Sequence, residues 1–166
     1  MSDRRHPPKE DTIFDACRRG DVDRIEKYVA NKGSVLDADV QKMTLLHHAA
    51  FGGHVAILKL ILSQEPSLDA IDTEGWTPLT YAADRGHAEC AAMLLDQGAN
   101  VNARDELKRT PLHMACNGGH IECVKLLLAN GANINIATVA GWKPRKYAEE
   151  RKDEAVLALF PTPAAA

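Results

Sequence analysis

The fold of this chain is decided by residues 72–83, which read Asp-Thr-Glu-Gly-Trp-Thr-Pro-Leu-Thr-Tyr-Ala-Ala. Thr77, which precedes Pro78, has counterparts at Thr44 and Thr110, so the pattern returns after 33 residues in each direction. Three other residue types return at the same interval without a gap: Gly20, Gly53, Gly86 and Gly119; His54, His87 and His120; Asp39, Asp72 and Asp105. A fixed period of this length is typical of proteins built from stacked structural repeats.

Each unit of this period predicts a turn followed by two short helices. Asp72 and Gly75 are residue types that favour turns, and Thr77 can cap a helix whose first turn tolerates Pro78. Gly86 is suited to end that helix because glycine adopts the left-handed conformation at low cost. A second amphipathic helix is indicated by apolar residues at three- and four-residue spacing, which are Cys90, Ala91, Leu94 and Leu95.

The apolar faces of these helices predict a stack of units. A single unit cannot bury its apolar face, whereas neighbouring units can bury theirs against each other. The first helices are rich in alanine and can approach closely, while the second helices carry leucine and isoleucine and need more room. We therefore expect the stack to curve, with the first helices and the turns on its inner side.

The repeat resembles the ankyrin repeat. Residues 110–115, Thr-Pro-Leu-His-Met-Ala, match the signature of that family in full. Residues 77–82 depart from it at Thr80, and residues 44–49 depart from it at Leu45, which stands in the place of proline. The resemblance covers nearly the whole chain, and it implies an all-α fold: an ankyrin-repeat solenoid of helix–turn–helix units with short β-turn fingers.

The register predicts five repeats between two tails. The predicted ranges are a flexible N-terminal tail at 1–9, repeat 1 at 10–38, repeat 2 at 39–71, repeat 3 at 72–104, repeat 4 at 105–137, a truncated repeat 5 at 138–160 and a flexible C-terminal tail at 161–166. Repeats 1 and 5 are rich in charge, and we expect them to cap the stack with polar outer faces. Arg145 stands where the other repeats have leucine, which favours a solvated or bent final helix pair.

Composition restricts the function further. The chain has 166 residues, of which 45% are hydrophobic and 26% are charged, as in globular proteins. Its formal net charge of −3 argues against a nucleic-acid-binding surface. No apolar run approaches the roughly 18 residues that a membrane helix needs, and no signal peptide is visible. We expect an intracellular protein of the cytoplasm, the nucleus or both, monomeric on its own, with neither nucleic acid nor membrane as its partner.

The residues that could carry chemistry favour packing roles. The four cysteines fall on the repeat grid, at positions that other repeats fill with alanine or a small aliphatic residue. The histidines at 54, 87 and 120 are too far apart for one metal ion, and in ankyrin proteins this histidine braces neighbouring loops. A metal-dependent or enzymatic site at His47 and His48 is the alternative. We expect no enzyme, no catalytic residue, no metal and no cofactor, since phosphate-binding loops and nucleophile elbows are absent.

The positions that the stack itself does not need form the predicted binding surface, because matching ankyrin positions line the concave face and the turn tips. The predicted partner-binding residues are Met43, Phe51, Trp76, Asp84, Arg85, Leu107, Arg109, Asn117 and Trp142. Four of them occupy one place of the turn and predict an exposed ladder of methionine, tryptophan and arginine, residue types enriched in interfaces. The alternative is that the two tryptophans only cover neighbouring turns.

These observations predict a protein–protein interaction module, a scaffold, adaptor or inhibitor, whose partner is another protein. A regulatory or assembly subunit of a larger complex is an open alternative. Two asparagines, Asn102 and Asn135, lie in a Gly-Ala-Asn-φ-Asn context. The resemblance implies that an asparaginyl hydroxylase could modify them, and the competing interpretation is that both only hydrogen-bond the loop backbone.

Overall fold

The computed structural model describes residues 11–161, and the predicted N-terminal tail and residues 162–166 lie outside this range. Within it the chain forms ten helices and no extended strand. The helices are α1 (Ile13–Arg19), α2 (Val22–Ala30), α3 (Leu45–Gly52), α4 (Val55–Leu62), α5 (Pro78–Arg85), α6 (Ala88–Asp96), α7 (Pro111–Gly118), α8 (Ile121–Ala129), α9 (Pro144–Arg151) and α10 (Glu154–Leu157). No described helix is long and apolar enough to cross a bilayer.

The helices form five pairs that stack in chain order, one pair in each predicted repeat range. The odd-numbered helices, hereafter the inner helices, pack directly on one another through a buried row of small side chains. That row consists of Ala16, Ala49, Ala82, Ala115 and Ala148. The even-numbered helices, hereafter the outer helices, make fewer contacts with each other and bury leucine and isoleucine side chains against the inner helices. The prediction of an all-α ankyrin solenoid is therefore confirmed.

Capping residues set the beginning and end of the inner helices. The Oγ1 atom of Thr77 accepts a hydrogen bond from the backbone N–H of Thr80 at 3.2 Å, as expected for an N-cap threonine. Helix α5 ends at Gly86, whose φ of +75° is in the left-handed region. A side chain at Gly86 would also collide with the next repeat, because its Cβ would lie 2.5 Å from Nδ1 of His120.

Hairpin turns, hereafter fingers, precede each inner helix from α3 onward. In the finger of repeat 3, the N–H of Asp72 donates to the carbonyl of Trp76 at 3.1 Å. The Oδ1 atom of Asp72 then accepts from the N–H groups of Glu74 and Trp76, at 2.8 and 2.9 Å. Neighbouring fingers are joined by one backbone hydrogen bond each: Thr73 to Gln41 at 3.0 Å, Glu106 to Glu74 at 3.3 Å and Val139 to Leu107 at 3.0 Å. The fingers thus form a continuous row along one side of the stack.

The last repeat closes the core with a short helix. Val156 of α10 and Phe160 behind it are buried, and α10 packs on α8 of the preceding repeat. Arg145 is half-buried, and its guanidinium donates to Glu149 at 2.9 Å and to the carbonyl of Pro161 at 3.1 Å. The arginine that replaces a core leucine is therefore neutralised at the end of the stack.

Candidate functional site

The linker histidines connect each repeat to the one before it. The Nε2 atom of His87 faces the carbonyl of Phe51 at 3.1 Å and therefore carries the proton. His54 donates to the carbonyl of Arg18 at 2.8 Å, and His120 donates to that of Asp84 at 2.8 Å. Through these hydrogen bonds each of the three histidines braces its own repeat against the preceding one, as predicted.

The histidines three residues after the capping threonine, His47 and His113, connect repeats 2 and 4 to the repeats that follow them. Nδ1 of His113 accepts from the N–H of Thr110 at 3.0 Å, and Nε2 donates to the carbonyl of Trp142 at 3.1 Å. His47 makes the same pair of contacts, with Thr44 and with the carbonyl of Trp76. Both rings are buried, and burial lowers their pKa below the ordinary value of histidine.

His48 belongs to a different network from its neighbour His47. Its Nδ1 accepts from the guanidinium of Arg18 at 3.0–3.2 Å, and its Nε2 donates to Oδ2 of Asp39 at 2.9 Å. All four ring nitrogens of the two histidines are thus engaged by protein groups, those of His47 by Thr44 and Trp76 and those of His48 by Arg18 and Asp39. Among residues 11–161 there is no cluster of three or more side chains that could hold a metal ion. This geometry does not favour the metal-site alternative.

The predicted ladder of exposed turn residues is wrong in part. Met43 is buried, with 6% of its surface exposed, because its apolar side chain is more stable inside the finger than in water. Trp76 is half-buried, and its ring lies on Tyr81 with centroids 4.9 Å apart. Arg109 lies over Trp76 at 5.4 Å and binds Asp105 at 2.6 Å. Only Trp142 of this set keeps a large exposed surface, at 39%.

Tyr81 is an important residue that the sequence did not single out. Its hydroxyl donates to Oδ2 of Asp72 at 2.6 Å, which fixes the finger to the inner helix. In repeat 2 the equivalent donor is His48, whereas in repeat 4 the equivalent residue is Met114 and Arg109 supplies the donor instead. The spacing of nine residues from finger aspartate to donor was visible in the sequence and could have revealed this contact.

Phe51 lies on the inner face between two arginines. The guanidinium carbon of Arg85 is 4.2 Å from its ring centroid, and that of Arg18 is 5.3 Å away on the other neighbouring repeat. Phe51 also meets the edge of Tyr81 at 5.7 Å. The predicted residues Phe51 and Arg85 are therefore in contact, and Asp84 lies beside them, with its Oδ2 atom 3.5 Å from the Nε atom of Arg85.

The remaining predicted residues lie on the finger tips and inner helices of repeats 4 and 5. Leu107 is 50% exposed and is joined through the backbone to Val139, which is 62% exposed. Asn117 is exposed near the end of α7. A shallow groove of about 360 Å³ runs beside Trp142, over the last inner helix. Phe51 lies in repeat 2, whereas Leu107, Val139 and Trp142 lie in repeats 4 and 5 of the same side.

The two asparagines of the loops differ in their contacts. Oδ1 of Asn102 accepts from the N–H of Asn133 at 2.8 Å, and its Nδ2 donates to the carbonyl of Gly131 at 3.4 Å. Asn135 is exposed, and its side chain makes no hydrogen bond to another described residue. Asn102 therefore has a structural role between repeats 3 and 4 that Asn135 does not share.

Comparison with known families agrees with this architecture. A family model described as "Ankyrin repeats (3 copies)" matches residues 13–105, and one described as "Ankyrin repeats (many copies)" matches residues 94–148. The chain belongs to the ankyrin-repeat family. No curated protein sequence matches the chain. Ankyrin repeats are generally protein–protein interaction modules, and proteins built from them are typically non-enzymatic.

Proposed function

We propose that this chain recruits a partner protein through its inner face and finger tips, as a scaffold, adaptor or inhibitor of that partner. The observation that carries the proposal is the exposed apolar group formed by Leu107, Val139 and Trp142 on two adjacent fingers. None of these exposed surfaces contributes to the core of the stack. Leu107 and Val139 are joined by a backbone hydrogen bond, and exposed apolar side chains grouped on adjacent fingers are typical of interaction sites.

The rigidity of the fingers supports the same function. Each finger is held by its own aspartate or threonine and by a backbone hydrogen bond to a neighbouring finger. The fingers of repeats 3 and 5 are also held by His47 and His113 of the preceding repeats. A surface that is ordered before binding loses less conformational entropy when the partner docks. A row of five repeats also offers enough area for a standard interface of about 800 Å² per partner.

Site-specific photo-crosslinking tests this proposal. A photoreactive phenylalanine analogue is placed at Leu107 or Asn117 on the inner side, and at Lys59 or Glu89 on the exposed outer helices as matched controls. We expect the two inner positions to give the same crosslinked protein in cell extract, and that protein to bind the purified chain saturably. Equal crosslinking yield from the outer positions would contradict the proposed surface.

A regulatory or assembly role in a larger complex would use the same surface, so the identity of the crosslinked protein distinguishes these roles. The intracellular location expected from the sequence stays a prediction.

A further inference from the structure

The arginine pair on Phe51 is built from three successive repeats. Arg18 comes from α1, Phe51 from α3 and Arg85 from α5, so the stack itself sets the spacing of the two cations. The guanidinium carbons of Arg18 and Arg85 lie 5.3 and 4.2 Å from the centroid of the Phe51 ring. The distance between the two carbons is therefore no larger than the sum of these values. Stacking on the ring restricts both side chains before any ligand arrives.

Both arginines keep hydrogen-bond donors that the fold does not use. Arg18 gives only its Nε and Nη2 atoms to the neutral ring of His48, which leaves the Nη1 side of the planar group available. Arg85 makes no hydrogen bond to another described residue, and its Nε atom is 3.5 Å from Asp84. Arg109 differs in its ion pair, because its Nε atom donates to the buried carboxylate of Asp105 at 2.6 Å. The ion pair of Arg85 with Asp84 is longer, at 3.5 Å, and its guanidinium is exposed.

The inner and outer helices differ in charge. The inner helices carry six basic and four acidic side chains, a net charge of +2, whereas the outer helices carry four basic and six acidic ones, a net charge of −2. The whole chain has a net charge of −3. The fingers beside the inner helices carry three basic and five acidic side chains, so the excess of basic groups is confined to the inner helices. This excess favours an acidic ligand on the inner helices rather than on the outer ones.

We infer that the arginine pair of Arg18 and Arg85 binds an acidic segment of the partner protein, with one carboxylate on each guanidinium. This inference rests on the proposed function and names the chemistry of its ligand. In an extended peptide, alternate side chains project from the same face about 6–7 Å apart. This spacing lies within the upper limit that the two ring distances set for the separation of the guanidinium carbons. The guanidinium fork matches a carboxylate in a bidentate manner.

A single-stranded nucleic acid fits this surface less well than an acidic peptide. Such ligands gain much of their affinity by stacking bases on exposed aromatic rings. Here the guanidinium groups of Arg18 and Arg85 already lie against Phe51. The ring of Trp76 is likewise engaged, by Arg109 and Tyr81.

Fluorescence anisotropy with the full chain tests the inference. The probe is a labelled synthetic peptide of alternating glutamate and serine; a glutamine–serine peptide and an oligothymidylate of equal charge are the comparison ligands. The test variants are Arg85→Gln alone and Arg18→Gln combined with Arg85→Gln. The matched control, Lys27→Gln with Lys59→Gln, removes the same charge from exposed positions of the outer helices. Circular dichroism verifies the fold of each variant.

We expect the glutamate peptide to bind the wild-type chain, and the glutamine peptide not to. The double arginine variant should bind at least tenfold more weakly and Arg85→Gln several-fold more weakly, with less than a twofold change in the lysine control. No binding of the glutamate peptide, an equal loss in the lysine control, or tighter binding of oligothymidylate through the same arginines would each overturn the inference. Inner-face crosslinks that persist in the double arginine variant would refute the acidic ligand and leave the proposed function standing.

Discussion

His113 offers a quantitative test of how the repeats hold together. Its ring accepts from the N–H and the hydroxyl of Thr110 and donates to the carbonyl of Trp142 in the next repeat. Each such hydrogen bond contributes about 0.5–1.5 kcal/mol, and a deleted buried ring leaves a cavity. We expect His113→Ala to lower the free energy of unfolding by about 3–4 kcal/mol.

The chain supplies its own matched control for this substitution. Repeat 3 has Thr80 in the equivalent place, where its N–H donates to Thr77 and the two hydroxyls lie 3.0 Å apart. His113→Thr should therefore keep the helix cap but lose the contact with Trp142 and part of the packing of the ring, so we expect it to cost about 1 kcal/mol less than His113→Ala. Urea unfolding followed by circular dichroism measures both variants. Equal losses in His113→Ala and His113→Thr would refute this account of the histidine.

The burial of the His113 ring predicts that the free energy of unfolding decreases as the pH falls. Burial holds the pKa of His113 below its ordinary value, so the unfolded chain takes up this proton first as the pH falls. The stability that the neutral ring contributes is complete above about pH 6.5 and is lost as the pH falls toward the folded-state pKa. The slope is at most about 1.4 kcal/mol per pH unit for each histidine. His113→Thr should show a shallower slope than the wild-type chain between pH 7 and pH 5, and an unchanged slope would contradict the assignment.

Three further predictions follow from the fingers, the cysteines and the loops. Lys108 has a φ of +59° in its finger, so Lys108→Gly should raise the free energy of unfolding by about 0.5–1 kcal/mol, whereas Gly75→Ala at the equivalent position, with a φ of +81°, should lower it in the same urea assay. Burial raises the pKa of all four cysteine thiols to about 11 or 12, so a thiol reagent at pH 8 should label the folded chain at least roughly a hundredfold more slowly than the unfolded chain; rapid labelling would contradict their burial. An asparaginyl hydroxylase should oxidise Asn135 faster than Asn102, because Asn102 must first leave its contacts with the next loop; peptide mass spectrometry measures both, and faster oxidation of Asn102 would refute that role.

The periodic part of the fold could be predicted from the sequence because each unit repeats the same local rules. A threonine cap, a glycine stop and a row of alanines recur at fixed places, and the glycines at 53, 86 and 119 have φ values between 71° and 75°. Register alone therefore located the helices and fingers. It also placed Phe51 and Arg85 on the same side of the stack.

Register could not predict which side chains of that surface are exposed. Met43, Trp76 and Trp142 share one place in the repeat, yet the first is buried, the second is half-buried and the third is 39% exposed. The difference depends on the neighbours from the next repeat: Arg109 covers Trp76, and among the described residues no further finger follows Trp142. Contacts between repeats of this kind depend on rotamers, which a sequence pattern does not specify.

Hydrogen exchange of the complex with its crosslinked partner tests the central claim most directly. Binding at the proposed surface predicts slower exchange at the finger tips and in the last turns of α3, α5 and α7, with the outer helices α4, α6 and α8 unchanged. Protection confined to the outer helices, with the fingers exchanging as in the free chain, would contradict the account.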